Sequence, residues 1–382
     1  MTSRERIRKA LLRQKVDRIP IVNIFNMNFL SKEFREKGKP FSNFENFELN
    51  DVIDFQYSIL HDPIYYLHTY QEPEVVKLPD TFIRGYMNHK TWTVSEEVSS
   101  KEEKKPIIKR TYTTPSGSMC AILRREQFQA WVLEHPLDER KKIELLQHRP
   151  DPENMDFSLL ENIVSKVGSK AFSTVGIPSV WQEACAMRGM QQLIFDMVDD
   201  PMWLKEFFSL LADYSVRIAE KIAGTGVDSI FINESYVGIG MARNSYLEFV
   251  LPYDAKIIEA ANNMGLITSL HICGKCDALL EDMAESGAHC IEPLASSEYA
   301  GDVELSDAYK RVGEKVGIWG GFGERVLDKE KTDVKSEVFR CINAVEGGKG
   351  YVLRGMGQVY SAKRENLKYL AELVEEYIYS VS

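Results

Sequence analysis

Leu266-Ile267-Thr268-Ser269-Leu270-His271-Ile272-Cys273-Gly274 is the stretch on which the reading of this chain turns. A short apolar run ends in two side chains able to bind a metal, and a glycine closes it. An apolar run of this length, bounded by turn residues, fits a strand covered on both faces, as parallel strands are. The pattern predicts a helix on either side of it, Asn244–Asn263 before and Asp277–Ser286 after.

The same rhythm extends outward. Ala171–Val175, Ser229–Ile232 ending at Asn233-Glu234, Cys290–Leu294, Val316–Gly321 and Gly350–Leu353 are strand candidates. Met187–Met197, Pro201–Gly224, Glu330–Val345 and Lys363–Tyr379 read as helices, with Pro201 placed at a first helical turn, where its missing N–H costs nothing. Ile19–Phe25 is a seventh strand, and residues 50–70 leave room for an eighth. Strands alternating with helices predict parallel βα units. The expected fold class is therefore α/β, a (β/α)8 TIM barrel with an N-terminal elaboration. No glycine-rich dinucleotide fingerprint follows any strand, which disfavours a doubly wound sheet.

Residues 1–382 are expected to form a single barrel domain. Residues 30–165 would carry N-terminal helices and a β-hairpin insertion, Lys90–Val98 with Ile107–Thr114. The charged run Lys101–Lys105 reads as a solvated turn, as does Pro115-Ser116-Gly117. Pro136–Asp156 reads as helix plus loop. Thr2 or Ser3 caps a first helix that ends by Asp17-Arg18-Ile19-Pro20.

Composition narrows the function classes. The chain has 382 residues, 44% of them hydrophobic, enough for a large core. Its net charge is −10, with acids and bases mixed, which argues against nucleic acid, whose phosphates need a basic footprint. No run reaches the roughly 18 apolar residues of a membrane span. The N-terminus lacks the apolar core of a signal peptide, so a cytoplasmic location is expected. Six cysteines are too sparse for a disulfide framework and leave metal or thiol chemistry open.

In a (β/α)8 barrel the active site lies at the C-terminal ends of the strands. Glu234, His271, Cys273, Glu292 and Met356-Gly357 fall there. In extended backbone, residues two apart point the same way, so His271 and Cys273 can bind one ion together. Nitrogen and sulfur ligands suit zinc. The bland alternative is a core histidine beside a small buried cysteine. Cys276 makes a CxxC with Cys273, but a helix start competes for that position. Cys290 reads as core, His289 as structural or exposed, and Cys120, Cys185 and Cys341 as ordinary packing.

Other motifs extend the pattern. Arg4-Glu5-Arg6, Asp17-Arg18-Ile19-Pro20, Thr114-Pro115-Ser116-Gly117, Gly176-Ile177-Pro178, Asp200-Pro201, Gly226-Val227-Asp228, His271-Ile272-Cys273-Gly274, Gly320-Gly321-Phe322 and Gly348–Leu353 occur in that order. Together they resemble the uroporphyrinogen decarboxylase superfamily, closest to its cobamide-dependent methyltransferase branch. The resemblance implies a (β/α)8 barrel and a zinc held by a histidine, a cysteine two residues on, and a second cysteine after the last strand. It also implies a corrinoid (methylcobamide) carried by a partner protein, and a small-molecule methyl donor or acceptor. Met356 stands where that second cysteine would be, and a neutral thioether binds zinc poorly. Glu234 is the substitute expected as third ligand, so Glu234, His271 and Cys273 form the candidate catalytic and metal set. Glu292 is next in line, or orients His271. Glu292, Tyr236, Trp181 and Met356 are the candidate substrate-binding residues, and Phe322 is a further pocket candidate.

The expected activity is transfer of a methyl group between a small methyl ether and the partner's corrinoid, that is, O-demethylation. Two alternatives stand beside it. One is a metal-free decarboxylase of a tetrapyrrole or related acid. The other is a non-catalytic corrinoid- or tetrapyrrole-binding barrel. The decarboxylase has an arginine-rich N-terminal motif that this chain lacks, since no arginine follows Pro20 before Arg35. Asp62 aligns loosely with that enzyme's catalytic aspartate, and the strand ends here offer mainly acids. Assembly as a homodimer is left open.

Overall fold

The computed structural model describes residues 1–36, 38, 49–68, 89–100, 105–125, 130–346 and 348–381. In chain order, β1 (Ile21–Val22) and β2 (Ile64–His68) precede β3 (Thr93–Ser100), β4 (Ile107–Thr114), β5 (Gly117–Arg125) and β6 (Ala130–Glu134). Then follow β7 (Phe172–Pro178), β8 (Ser229–Asn233), β9 (Ile267–His271), β10 (Cys290–Glu292), β11 (Gly317–Trp319) and β12 (Tyr351–Arg354). Eight of these form one sheet in the order β1-β12-β11-β10-β9-β8-β7-β2, all neighbours parallel. The result is a nearly closed (β/α)8 barrel, as expected. Its free edges meet where Asp62 N–H donates to Ile21 O at 2.8 Å and the Asp62 carboxylate accepts Ile21 N–H at 3.0 Å.

Strand alternation sorts the side chains. Val22, Ile64, Phe172, Ile267, Cys290, Trp319 and Val352 point into the barrel and pack with Ile7, Ala10 and Leu11 of the helix Ser3–Leu11. That helix starts in a capping box, in which Thr2 receives the Glu5 N–H and Glu5 receives the Thr2 N–H. It touches β7, β11 and β12 and plugs the N-terminal end of the barrel. The intervening residues Ile291 and Ile318, with Ile230, Ile232 and Leu270, face the outer helices instead.

The eighth strand is β2, inside the window left for it. The expected strand Ile19–Phe25 shrinks to β1 plus a bridge from Phe25 to Val359, because Pro20 has no N–H to give a ladder. The expected helix Asn244–Asn263 is two helices, Arg243–Phe249 and Leu251–Asn263, divided at Val250 before Pro252. The hairpin is part of a larger unit, since β3, β4, β5 and β6 form an antiparallel sheet in that order. Residues 101–104 of the charged turn lie outside the described residues. Among the described residues no helix is long and apolar enough to cross a membrane.

Asp62 precedes β2 and so sits at the N-terminal rim, opposite the mouth. It is fully buried, and its carboxylate pairs with Arg6 and, at 2.7 Å, with Arg18. Its position makes it a closure residue and corrects its loose alignment with a catalytic aspartate.

Candidate active site

β9 delivers His271 at its last position, and the chain then turns through Ile272, Cys273 and Gly274. His271 Nε2 lies 3.4 Å from Cys273 Sγ. Two donors at usual zinc distances and a tetrahedral angle would stand about 3.5 Å apart, so this pair fits one edge of such a site. His271 is half-buried and Cys273 is exposed, which places the sulfur at the mouth. The turn depends on a close approach by the loop after β8. A Cβ on Gly238 would stand 1.9 Å from Cys273 O, and Gly274, at φ +92°, packs against Gly238 from the other side. Lys275 N–H donates to Gly238 O at 2.9 Å and locks the two loops.

Glu292, the last residue of β10, pairs in register with His271 and is 1% exposed. It shares a hydrogen bond with His271 and accepts from Ser269 Oγ at 2.9 Å. This is how a carboxylate fixes the ring of a metal-binding histidine. Burial disfavours a charged imidazole, but the hydrogen bonds to Cys273 and Glu292 outweigh it and push His271 up to about 9. Burial likewise opposes the Cys273 thiolate, and its hydrogen bond to His271 holds the thiol below its usual value.

Glu234 does not join them. In the register between β8 and β9, Asn233 is level with His271, so Glu234 is level with Ile272 and takes the opposite face. Its carboxyl is fully buried against Asp254 of the helix Leu251–Asn263. Burial and the neighbouring Asp254 raise Glu234 well above an ordinary carboxyl, and burial raises Asp254 as well. Two carboxyls in contact cannot both ionise, so the pair holds a proton. Among the described residues, no three histidine, cysteine or acidic side chains gather into a metal cage.

The other candidates scatter. Trp181 is 2% exposed and packs edge-on against Phe208 at 6.2 Å, in the layer between strands and helices. Phe322 is fully buried core. Tyr236 is half-buried beside the loop that carries Gly238. Met356 sits in the turn after β12, where its sulfur accepts Ser296 N–H at 3.4 Å and Gly357 N–H donates to Glu324 at 3.0 Å. Its sulfur is thus held by the loop after β10. Cys276 is buried, its thiol pushed up to about 12 by burial, which disfavours a ligand role.

Arg354 was not anticipated. It ends β12, is 3% exposed, and its Nη1 lies 2.8 Å from Glu292 Oε2. The guanidinium carbon stands 5.7 Å from the Tyr66 ring centre and 5.6 Å from that of Trp319. The mouth therefore holds a cation as well as acids. The available signal was parity with Val352 in a strand whose end had already been placed at the mouth. Ser235 was also missed; its hydroxyl donates to Asn233 Oδ1 at 2.7 Å and stands beside the Cys273 thiol.

Comparison with known proteins gives this geometry a class. A family model described as uroporphyrinogen decarboxylase (URO-D) matches residues 117–377, and the chain belongs to that family. It is 26% identical over 185 residues to a uroporphyrinogen decarboxylase of Ruthia magnifica, covering 47% of this chain and 51% of that protein. It is also 26% identical over 174 residues to the methylcobamide:CoM methyltransferase MtbA of Methanosarcina mazei, covering 44% and 48%. The chain thus spans about half the length of the curated relatives it matches. A solved methyltransferase from Methanosarcina mazei shares the fold, with a TM-score of 0.67, 17% identity and 99% of each chain covered. The relatives are enzymes of two kinds, methyltransferases and decarboxylases.

Proposed function

We propose that this protein is a methyltransferase that moves a methyl group between a small methylated substrate, a methyl ether in the favoured case, and the corrinoid of a partner protein. The observation that carries the reading is the His271–Cys273 pair, 3.4 Å apart at the mouth of the barrel, with Glu292 hydrogen-bonded to the histidine. In this reading His271 and Cys273 hold a zinc ion. Zinc, when bound, supplies a Lewis acid for the oxygen that loses the methyl group. The residues do the rest: Glu292 orients the imidazole, and the interlocked Gly238 and Gly274 hold the cysteine in place. When the methyl–oxygen bond breaks, the oxygen keeps the electron pair and leaves as an alkoxide or phenoxide. The similarity to MtbA supports a corrinoid-bearing partner, and the cytoplasm as its place of work follows from the same reading.

Third-ligand duty passes away from Glu234. Its carboxyl faces Asp254, and an uncharged, proton-sharing pair is a poor donor. Glu292 is the acidic group that contacts His271. Metal analysis of purified protein beside a Cys273→Ala variant tests the proposal. Near-stoichiometric zinc in the first and a loss of about tenfold or more in zinc affinity in the second is the expected result. Equal, negligible zinc in both would remove the metal from the mechanism.

A metal-free carboxy-lyase is the second reading. It is favoured by the similarity to uroporphyrinogen decarboxylase and by the cationic Arg354 in the mouth. It requires that chelators leave activity intact and that uroporphyrinogen be consumed.

A further inference from the structure

Arg354 has donors left over. Among the described residues its Nε and Nη1 are buried without a hydrogen bond; Nη1 approaches Glu292 as an ion pair. The indole Nε1 of Trp319, whose ring lies under the guanidinium, is likewise buried without an acceptor among the described residues. Buried donors are almost always satisfied, and an unmade bond to a charged donor is expensive. Glu292 cannot take them all, because it already serves Ser269 and His271. Arg354 pairs with Glu292, which lies in register with His271, so its free edge belongs to the same mouth.

We infer that Arg354 is a specificity-determining residue that receives an oxyanion on the substrate, and that the substrate is a small carboxylate. The guanidinium presents donors in a fixed planar fork that matches a carboxylate. The neighbouring rings of Tyr66 and Trp319, 6.1 Å apart, stand 5.7 and 5.6 Å from its guanidinium carbon and, with Glu292, preorganise the fork. Among the described residues its ionic partner is Glu292, whose charge offsets its own. Among the described residues Arg354 is the guanidinium in this mouth, and one such fork matches one carboxylate group. The inference rests on the reading of this mouth as the substrate site, but not on the metal.

The test is calorimetric titration of the purified protein with benzoate, with methoxybenzene as a neutral analogue and inorganic phosphate as the rival anion. Four samples are compared: wild type, wild type treated with a chelator, Arg354→Lys, and Arg354→Met combined with Glu292→Gln. The double change removes both charges, so neither is left buried alone. Benzoate should bind wild type with similar affinity with or without the chelator, and at least about tenfold more tightly than methoxybenzene. The double variant should lose about tenfold or more, and Arg354→Lys should retain part of the binding. The inference is overturned if benzoate fails to bind wild type, if methoxybenzene binds as tightly, or if the double variant binds benzoate unchanged. Phosphate binding more tightly than benzoate overturns the carboxylate class. Absence of zinc from the wild type with benzoate binding intact would refute the metal reading and leave this one standing. The converse would do the reverse.

Discussion

His271 and Glu234 sit one register step apart on neighbouring strands, and that step decides their chemistry. His271 is level with Asn233 and faces the barrel; Glu234 follows Asn233 and faces the helices. The motif HxC was legible because both of its members lie on one parity. Glu234 falls on the other parity, because a strand end marks the mouth but not the face. Glu234→Gln should therefore leave zinc content unchanged, which metal analysis checks. It should also change the pH dependence of stability. The folded-state carboxyl is raised well above 4.5, so its contribution is present below that value and is lost as pH rises towards the raised one. Melting curves should show wild type losing stability relative to the variant as pH increases. His271 gives a second pH prediction. In metal-free protein it is pushed up to about 9, so its stabilising contribution is complete below about 6.5 and lost as pH rises through about 9. A ligand imidazole must be neutral. Competition with a chromophoric chelator should thus find zinc affinity rising across the same window while metal-free stability falls.

At the scale of elements, the site is a junction of two loops. The loop after β8 contributes Gly238, and the turn after β9 contributes Cys273 and Gly274. A side chain on Gly238 would collide with the backbone of Cys273, not with a flexible group that could move aside. Gly238→Ala should cost about 1–3 kcal/mol in denaturant unfolding, as overpacking does. It should also weaken zinc binding without touching a ligand. A variant that keeps both stability and zinc would show that the approach is not needed. Sequence reasoning found the glycine after Cys273 but not its partner 36 residues earlier, because close approach between loops leaves no periodic trace. The antiparallel sheet β3–β6 was partly visible for the opposite reason. Its strand β4 alternates cleanly between covered and open positions.

The whole barrel was the most legible feature, because each buried strand repeats the same apolar signature between helices. Closure was not legible. It depends on Asp62, which reaches across the free edges of β1 and β2 and gathers Arg6 and Arg18. Removing the carboxylate strands a buried arginine, for which about 3–5 kcal/mol is the usual cost. Asp62→Ala should therefore unfold at much lower urea while its folded fraction keeps its zinc, since the residue lies at the opposite end from His271. Loss of zinc at unchanged stability would place Asp62 in the site after all. The central claim, that His271 and Cys273 hold a zinc ion, is tested most directly by zinc-edge X-ray absorption on the purified protein. One sulfur at about 2.3 Å with at least one imidazole nitrogen at about 2.0–2.1 Å is the predicted shell. A shell without sulfur, or no zinc at all, would contradict it.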